Sequence, residues 1–365
     1  MIPFFDYRPE IAEISREIDA AIARVLASGR LILGPEVEAF EREWAAWVGA
    51  RDAVGVASGT DAITLALRAV GIGTEDEVLT VANAGAPTVA AIRATGALPR
   101  FVDVDPESLL LDPRGLERAR SPRTRCVLPV HLYGRAVPME PILDFAARHG
   151  LAVIEDCAQA HGARPGGRHV GTRGAIGCFS FYPTKNLGAL GDGGACVTDD
   201  PHLSACLRRL RMYGFDRDRV AHVEGVNSRL DELQAAVLRV KLCHLDERLS
   251  RRRALAAAYL SALDGGSVRC PAGSPDPQAH AWHLFVVRPP DRSRAIAALT
   301  RQSIGHAIHY EHAAHRMEAY AFLGYRAGDL PVTEDACASV LSLPLYPGLD
   351  DRAVAAVASA LRDAA

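Results

Sequence analysis

The stretch LAVIEDCAQAHGA, residues 151–163, decides the fold. Leu151, Ala152, Val153 and Ile154 read as a short buried strand, and Asp156 stands where that strand ends. Open α/β sheets bind ligands outside the carboxyl ends of their strands, so a carboxylate delivered there is a candidate ligand group. A plainer reading stands beside it, because a strand-end aspartate can also cap the next element. His161 reads as structural support for this segment rather than as a catalytic group.

Outward from this stretch the same rhythm repeats. Apolar runs at 53–57, 78–82, 98–102, 126–130, 151–155, 178–181 and 195–198 read as strands. Helical periodicity separates the first five, as at 62–70 and 138–149. Such alternation predicts an α/β protein with a largely parallel sheet covered on both faces. The last two runs have no helix between them, which leaves room for a different pairing. Upstream, 9–28 reads as one amphipathic helix ended by Gly29, and 36–48 as a second, carrying Val37, Phe40, Trp44 and Trp47. Downstream, 228–262 reads as long helices. The Gly-, Pro- and Ser-rich stretch 264–280 breaks the pattern. A strand-like run at 284–287 and helices near 291–303 and 350–363 follow. The expected division is a large domain, 1–245, and a small domain, 246–365.

With 365 residues, 49% of them hydrophobic, the chain can bury a large core. A net charge of -3 argues against a nucleic-acid binder that works by bulk electrostatics. The run Arg251, Arg252, Arg253 reads as a solvated helix face. The N-terminus lacks the basic-then-apolar pattern of a secretion signal, and no apolar run reaches the ~18 residues of a membrane span. The expectation is a cytoplasmic protein without a membrane partner. Eight cysteines, none in a C-x-x-C pair, read as reduced and mostly buried thiols, with no metal site expected. Lys and Arg total 41, yet the only lysines are Lys185 and Lys241. Arginine stays protonated and cannot form an imine, so lysine-imine chemistry has two candidates.

Two more segments carry chemistry. Ser58-Gly59-Thr60-Asp61 follows a strand and opens a helix, where free N–H groups bind anions and a glycine allows close approach; an ordinary N-cap is the alternative. FSFYPTKNLG, residues 179–188, sets Lys185 among aromatic residues and glycines, with GDGG following at 191–194. A lysine that loses its hydration there becomes a neutral amine more readily. Ser180 could donate to a phosphate. Lys241, on a long helix, reads as a snorkelling surface lysine. A phosphate-binding turn, a strand-end aspartate and a Ser-x-x-x-x-Lys loop, in that order, suit pyridoxal 5'-phosphate (PLP), gripped at its phosphate, ring nitrogen and aldehyde.

These segments resemble the DegT/DnrJ/EryC1/StrS family of sugar aminotransferases, with the PLP-dependent transferase fold type I. The likeness runs over nearly the whole chain and is carried by residues 57–62, 155–163, 180–188, 225–236 and 342–345. The resemblance implies a mostly parallel mixed sheet between helices, with a smaller α+β C-terminal domain. It implies that Lys185 holds the cofactor aldehyde and shuttles the proton, that Asp156 pairs with the ring nitrogen, and that Gln159 touches the ring hydroxyl. Gly59, Thr60 and Ser180 would hold the phosphate, joined by Asn227 from a neighbouring subunit, in a homodimer with shared active sites. The implied donor is L-glutamate and the implied acceptor a nucleotide-linked keto sugar, best matched by a dTDP-linked 3-keto-6-deoxyhexose. Arg229, His309 and Tyr310 fall on the substrate side. Relatives with histidine in place of the lysine act as dehydratases; Lys185 favours transamination. The family often has a ring-stacking aromatic near 83–88, absent here, so the stacking partner is unassigned. It usually has proline after the His-Tyr pair, where this chain has Glu311. A keto-cyclitol aminotransferase, an aminohydroxybenzoate synthase and a PLP-binding regulator without turnover stay as alternatives.

Overall fold

The computed structural model describes residues 1–271 and 276–364. All seven apolar runs are strands: β1 (Asp52–Val56), β2 (Glu77–Thr80), β3 (Leu98–Phe101), β4 (Thr124–Val127), β5 (Ala152–Asp156), β6 (Ile176–Ser180) and β7 (Gly194–Thr198). They form one sheet in the order β1-β7-β6-β5-β4-β2-β3. Neighbours from β6 across to β3 are parallel. Strand β7 is antiparallel to both β6 and β1. Since β1 opposes β7, it runs with the rest, and β7 alone is reversed. The expected different pairing of the last two runs is this reversal. It brings the carboxyl ends of β1, β5 and β6 and the start of β7 to one edge of the sheet, the edge at which α/β folds bind ligands.

The helices are α1 (Arg8–Glu13), α2 (Ser15–Ser28), α3 (Pro35–Val48), α4 (Gly59–Ala69), α5 (Ala86–Ala94), the short α6 (Leu116–Ala119), α7 (Met139–His149), α8 (Pro201–Leu210), α9 (Glu232–Cys243), α10 (Leu245–Leu263), α11 (Arg292–Arg301), α12 (Pro331–Ser339) and α13 (Asp351–Arg362). The single helix expected over 9–28 is two, broken at Ile14, whose side chain is buried with Ile18 and Val237. Gly150 ends α7 in a left-handed cap at φ +62, and Leu151 N–H returns to Ala146 O at 2.9 Å. That cap turns the chain into β5. Strands β6 and β7 are buried at every position and β5 at all but its first. This is the pattern of central strands covered on both faces.

Under α3 lies an aromatic core. Trp44 stacks with Phe40 and Trp47 and meets Phe179 and Phe181 edge-on. A second core belongs to the C-terminal part, where β8 (Phe285–Val287) and β9 (Leu341–Leu343) pair antiparallel and pack with Tyr259, Leu299 and Val357. Residues 272–275 of the glycine- and proline-rich stretch lie outside the described residues. The expected solvated arginine face on α10 is corrected in part: Arg252 is buried, its Nη1 donating to the carbonyls of Trp282, His283 and Leu345 at 3.2, 3.3 and 2.9 Å. The helix turns this position toward the neighbouring chain segments, whose carbonyls would otherwise lack a donor. Among the described residues no helix is long and apolar enough to cross a membrane.

Replacing Trp44 by alanine should remove the centre of the aromatic core and destabilise the protein by roughly 3–5 kcal/mol, the range for large aromatic deletions. A urea-unfolding series checks this; a loss below about 1 kcal/mol would mean that the rings repack without it.

Candidate active site

Asp156 ends β5 and is buried. Its Oδ2 accepts from Thr88 Oγ1 at 2.8 Å and its Oδ1 from the Ala158 N–H at 3.1 Å. Burial raises its pKa above the usual carboxylate value, against the opposing pull of those two donors and of Lys185. Burial likewise lowers the Lys185 amine from the ordinary 10.5 to about 8, with Asp156 opposing. The structure therefore brings the two leading candidates into one electrostatic unit. The folded-state pKa of Lys185 lies below its unfolded value, so burying the ammonium costs stability below pH 8, and the cost fades as pH rises from about 8 toward 10.5.

Gln159 is buried between two partners: Oε1 accepts from the Tyr133 N–H at 2.7 Å, and Nε2 donates to Tyr310 Oη at 3.0 Å. Tyr133 Oη donates to the His309 carbonyl at 2.6 Å, and His309 Nδ1 lies 2.8 Å from Ser342 Oγ. So His309 and Tyr310 join the Asp156–Gln159 end of the sheet, although they come from the far C-terminal part. Burial and then the Asp156 charge raise the Tyr310 pKa. In place of an aromatic within 83–88, Gly85 faces the Tyr310 ring; a Cβ there would lie 3.2–3.3 Å from ring carbons. Three imidazoles, those of His161, His283 and His309, feel the Lys185 charge, and burial above all holds each below its usual pKa. His161 sits among Trp44, Phe179 and Phe181, a structural setting.

Gly59 opens α4 against Ser180, the last residue of β6. A Cβ at position 59 would lie 2.5 Å from Ser180 Cβ, so only glycine fits. Ser58 Oγ takes the Asp61 N–H at 3.1 Å, which leaves the Gly59 and Thr60 N–H groups at the free end of the helix. Ser58 is a true N-cap, and the remaining donors lie beside Ser180. Ser228 Oγ donates to Asp61 Oδ2 at 2.7 Å and ties the 227–229 segment to the same turn. Asn227 is itself exposed, and with Arg229 it lines an open cavity shared with Ala57, Gly191, Asp192 and Gln234. Neither side chain makes a hydrogen bond or ion pair with Lys185, Asp156 or Gln159 among the described residues.

Several participants escaped the sequence reading. Thr88 and Tyr133 hold Asp156 and Gln159, and neither carries a motif that marks it. Lys241 is corrected outright: it is buried, donates to the Gly188 carbonyl at 2.6 Å and pairs with Glu10 at 3.0 Å. The neighbouring α1 covers it, which helix periodicity alone does not show. His131, Glu155 and Cys157 bring ligand-type atoms within 4.8 Å of one another. The Glu155 carboxylate there is already saturated by His131 Nε2 and the N–H groups of Gly171, Arg173 and Gly174, at 2.7–3.0 Å, while His131 Nδ1 takes the Val137 N–H. This is a hydrogen-bonded clamp rather than a vacant cation site. A cavity of about 660 Å³ is lined by Arg135, Glu155 and Arg173 among others. Successive strand residues point to opposite faces, so it lies away from the Asp156 side chain. The titratable cluster, not cavity size, marks the candidate site.

Residues 12–362 match the model of the DegT/DnrJ/EryC1/StrS aminotransferase family. The chain is 47% identical over 364 residues to a dTDP-3-amino-3,4,6-trideoxy-alpha-D-glucose transaminase of Streptomyces venezuelae, covering 99% of this chain and 96% of that one. It is 44% identical to a dTDP-3-amino-3,6-dideoxy-alpha-D-galactopyranose transaminase of Aneurinibacillus thermoaerophilus, covering 99% of each. Among solved structures, S. venezuelae DesV in complex with a ketimine intermediate superposes with a TM-score of 0.96 at 47% identity, covering 99% of this chain and 98% of that one.

In cofactor-free protein, Lys185 should react with a small amine-directed reagent along a pH profile whose midpoint lies near 8. Peptide mass spectrometry reads this cleanly, since Lys241 is the one other lysine. A midpoint at the ordinary 10.5 would show a fully solvated side chain.

Proposed function

Since the chain belongs to the DegT/DnrJ/EryC1/StrS aminotransferase family and is an aminotransferase, we propose that it uses PLP to move an amino group from L-glutamate to a nucleotide-linked keto sugar, a dTDP-3-keto-6-deoxyhexose. One observation carries the reading: a lysine amine held near neutrality beside a buried carboxylate, at the sheet edge that also holds the Gly59–Ser180 cradle. The residues fit the cofactor. Gly59, Thr60 and Ser180 would hold its phosphate, Asp156 its ring nitrogen, Gln159 its ring hydroxyl, and Lys185 its aldehyde. The two 3-amino dTDP-sugar relatives support the C3 position. Arg229, His309 and Tyr310 are the proposed sugar-side contacts.

When bound, PLP supplies the electron sink that lets the proton next to an amine leave as H⁺. Lys185, neutral above about pH 8, would take that proton at Nζ and give it back across the C–N–C unit, to the carbon two atoms away. Asp156, oriented by Thr88 and Ala158, would favour a proton on the ring nitrogen. Tyr310 and Gln159 close one side of the site. Overall, glutamate and the keto sugar become 2-oxoglutarate and the amino sugar, with no net oxidation or reduction.

We place the partner as a second copy of the chain, each subunit lending Asn227 to the other's phosphate cradle. Exposed Tyr182 and Leu190 flank the lysine loop, and exposed apolar side chains suit a subunit interface. We also propose residues 246–365 as a small domain around the β8–β9 core, onto which the N-terminal Ile2 and Phe5 pack.

Protein loaded with PLP should absorb in the visible and lose that band on adding L-glutamate, with 2-oxoglutarate released. Lys185→Ala should abolish both. Asp156→Asn should retain folding and lose about 10²–10⁴ in turnover, the usual weight of a positioned protonic group; an unchanged rate would remove it from the mechanism. A panel of dTDP-keto sugars, keto cyclitols and aminohydroxybenzoate precursors separates the acceptor classes, and cofactor binding without any half-reaction would mean a regulator instead.

Mixing inactive Lys185→Ala chains with impaired Asn227→Ala chains should restore activity, because one site of each mixed dimer is then intact. No recovery on mixing, with exchange verified by mass spectrometry, would overturn the shared site.

A further inference from the structure

Helix α9 presents two polar side chains, Gln234 and Lys241, seven residues apart and so on one face. Both grip the loop that carries Lys185. Gln234 Oε1 accepts from the Leu190 N–H at 2.8 Å, and Lys241 Nζ donates to the Gly188 carbonyl at 2.6 Å. The loop is closed tightly between these points and its start. A Cβ at Gly188 would lie 2.4 Å from the Pro183 carbonyl oxygen, and Ala189 N–H returns to Phe181 O at 2.8 Å. From the other side, Asn186 Nδ2 donates to the Ala281 carbonyl at 3.0 Å. Lys185 is therefore suspended on a short turn whose far end is fixed by α9.

The choice of residue at 241 is informative. All but two of 41 basic residues are arginine, yet this position keeps a lysine. The pocket offers one backbone carbonyl and one carboxylate oxygen, of Glu10 on α1. A compact ammonium can serve both, whereas a planar guanidinium needs a wider set of acceptors. Glu10 also pairs with Arg248 on α10, so its charge is compensated from two sides.

We propose that Lys241, with Gln234, is a positioning residue for the proposed aminotransferase reaction: it holds the Gly188 end of the lysine loop so that the Lys185 amine stays in its water-poor setting beside Asp156. This rests on the reading of Lys185 as the reacting amine. The groups that face Lys185 are Asp156 on β5, His161 in the following turn, and His283 and His309 from the C-terminal part. Lys241 acts through the loop backbone and not through any of them.

The test uses full-length protein freed of cofactor, so that failure of the functional reading leaves it intact. Reductive methylation with formaldehyde and cyanoborohydride, read at Lys185 by peptide mass spectrometry, gives the pH profile of that amine. Lys241→Met removes the donor while Glu10 keeps Arg248. The Lys185 midpoint should then rise by about one pH unit as water enters the loop. Lys241→Arg should recover part of the shift, and Gln234→Leu should move the midpoint in the same direction by less. A Lys241→Met protein that melts earlier but keeps its midpoint within about 0.2 unit would make Lys241 merely structural and overturn the proposal. Should that variant not fold, an unshifted midpoint in Gln234→Leu overturns it equally.

Discussion

Everything at the candidate site depends on keeping one amine and one carboxylate out of water together. Burial makes Lys185 less basic and Asp156 less acidic, and each charge partly offsets what burial does to the other. Neither group could be placed there alone without either losing its charge or destabilising the fold. Held as a pair, with Thr88 and Ala158 fixing the carboxylate, they leave an amine lowered to about 8 beside a carboxyl raised above its usual value. That condition suits the role proposed for Lys185, nucleophile and proton carrier in turn.

The sheet supplies the geometry for this pair. With β7 alone reversed, the ends of β1, β5 and β6 converge, so residues near 59, 156 and 180 meet although some 120 positions separate the first from the last. Backbone donors that the loops leave over are taken by buried carboxylates. Glu155 gathers the 171–174 turn together with His131. Glu232 at the start of α9 does the same for the Gly34, Glu36 and Val37 N–H groups. These clamps tie the loops down, because a buried carboxylate that lost its donors would be costly.

Within one chain the site is uneven. The Lys185, Asp156, Gln159 and Tyr310 side is densely hydrogen-bonded, whereas Asn227 and Arg229 look out over an open cavity. The proposed dimer accounts for the exposed Asn227, since a residue that serves a partner's site has no reason to be satisfied in its own.

Much is legible in the amino-acid sequence alone. Strand and helix periods gave all seven strands of the main sheet, and the scarcity of lysine narrowed the reacting amine to two positions. The strand-end Asp156, the helix-opening Gly59 and the loop lysine could be picked out because each depends on local chain geometry. The sequence could not show that Lys241 is covered by α1, that Arg252 turns inward, that Thr88 reaches Asp156, or that Tyr310 lies on Gly85 and Gln159. Those contacts join segments from tens to hundreds of residues apart. Local propensity carries no information about which distant backbone groups will be left needing a donor, and only the packed sheet decides that.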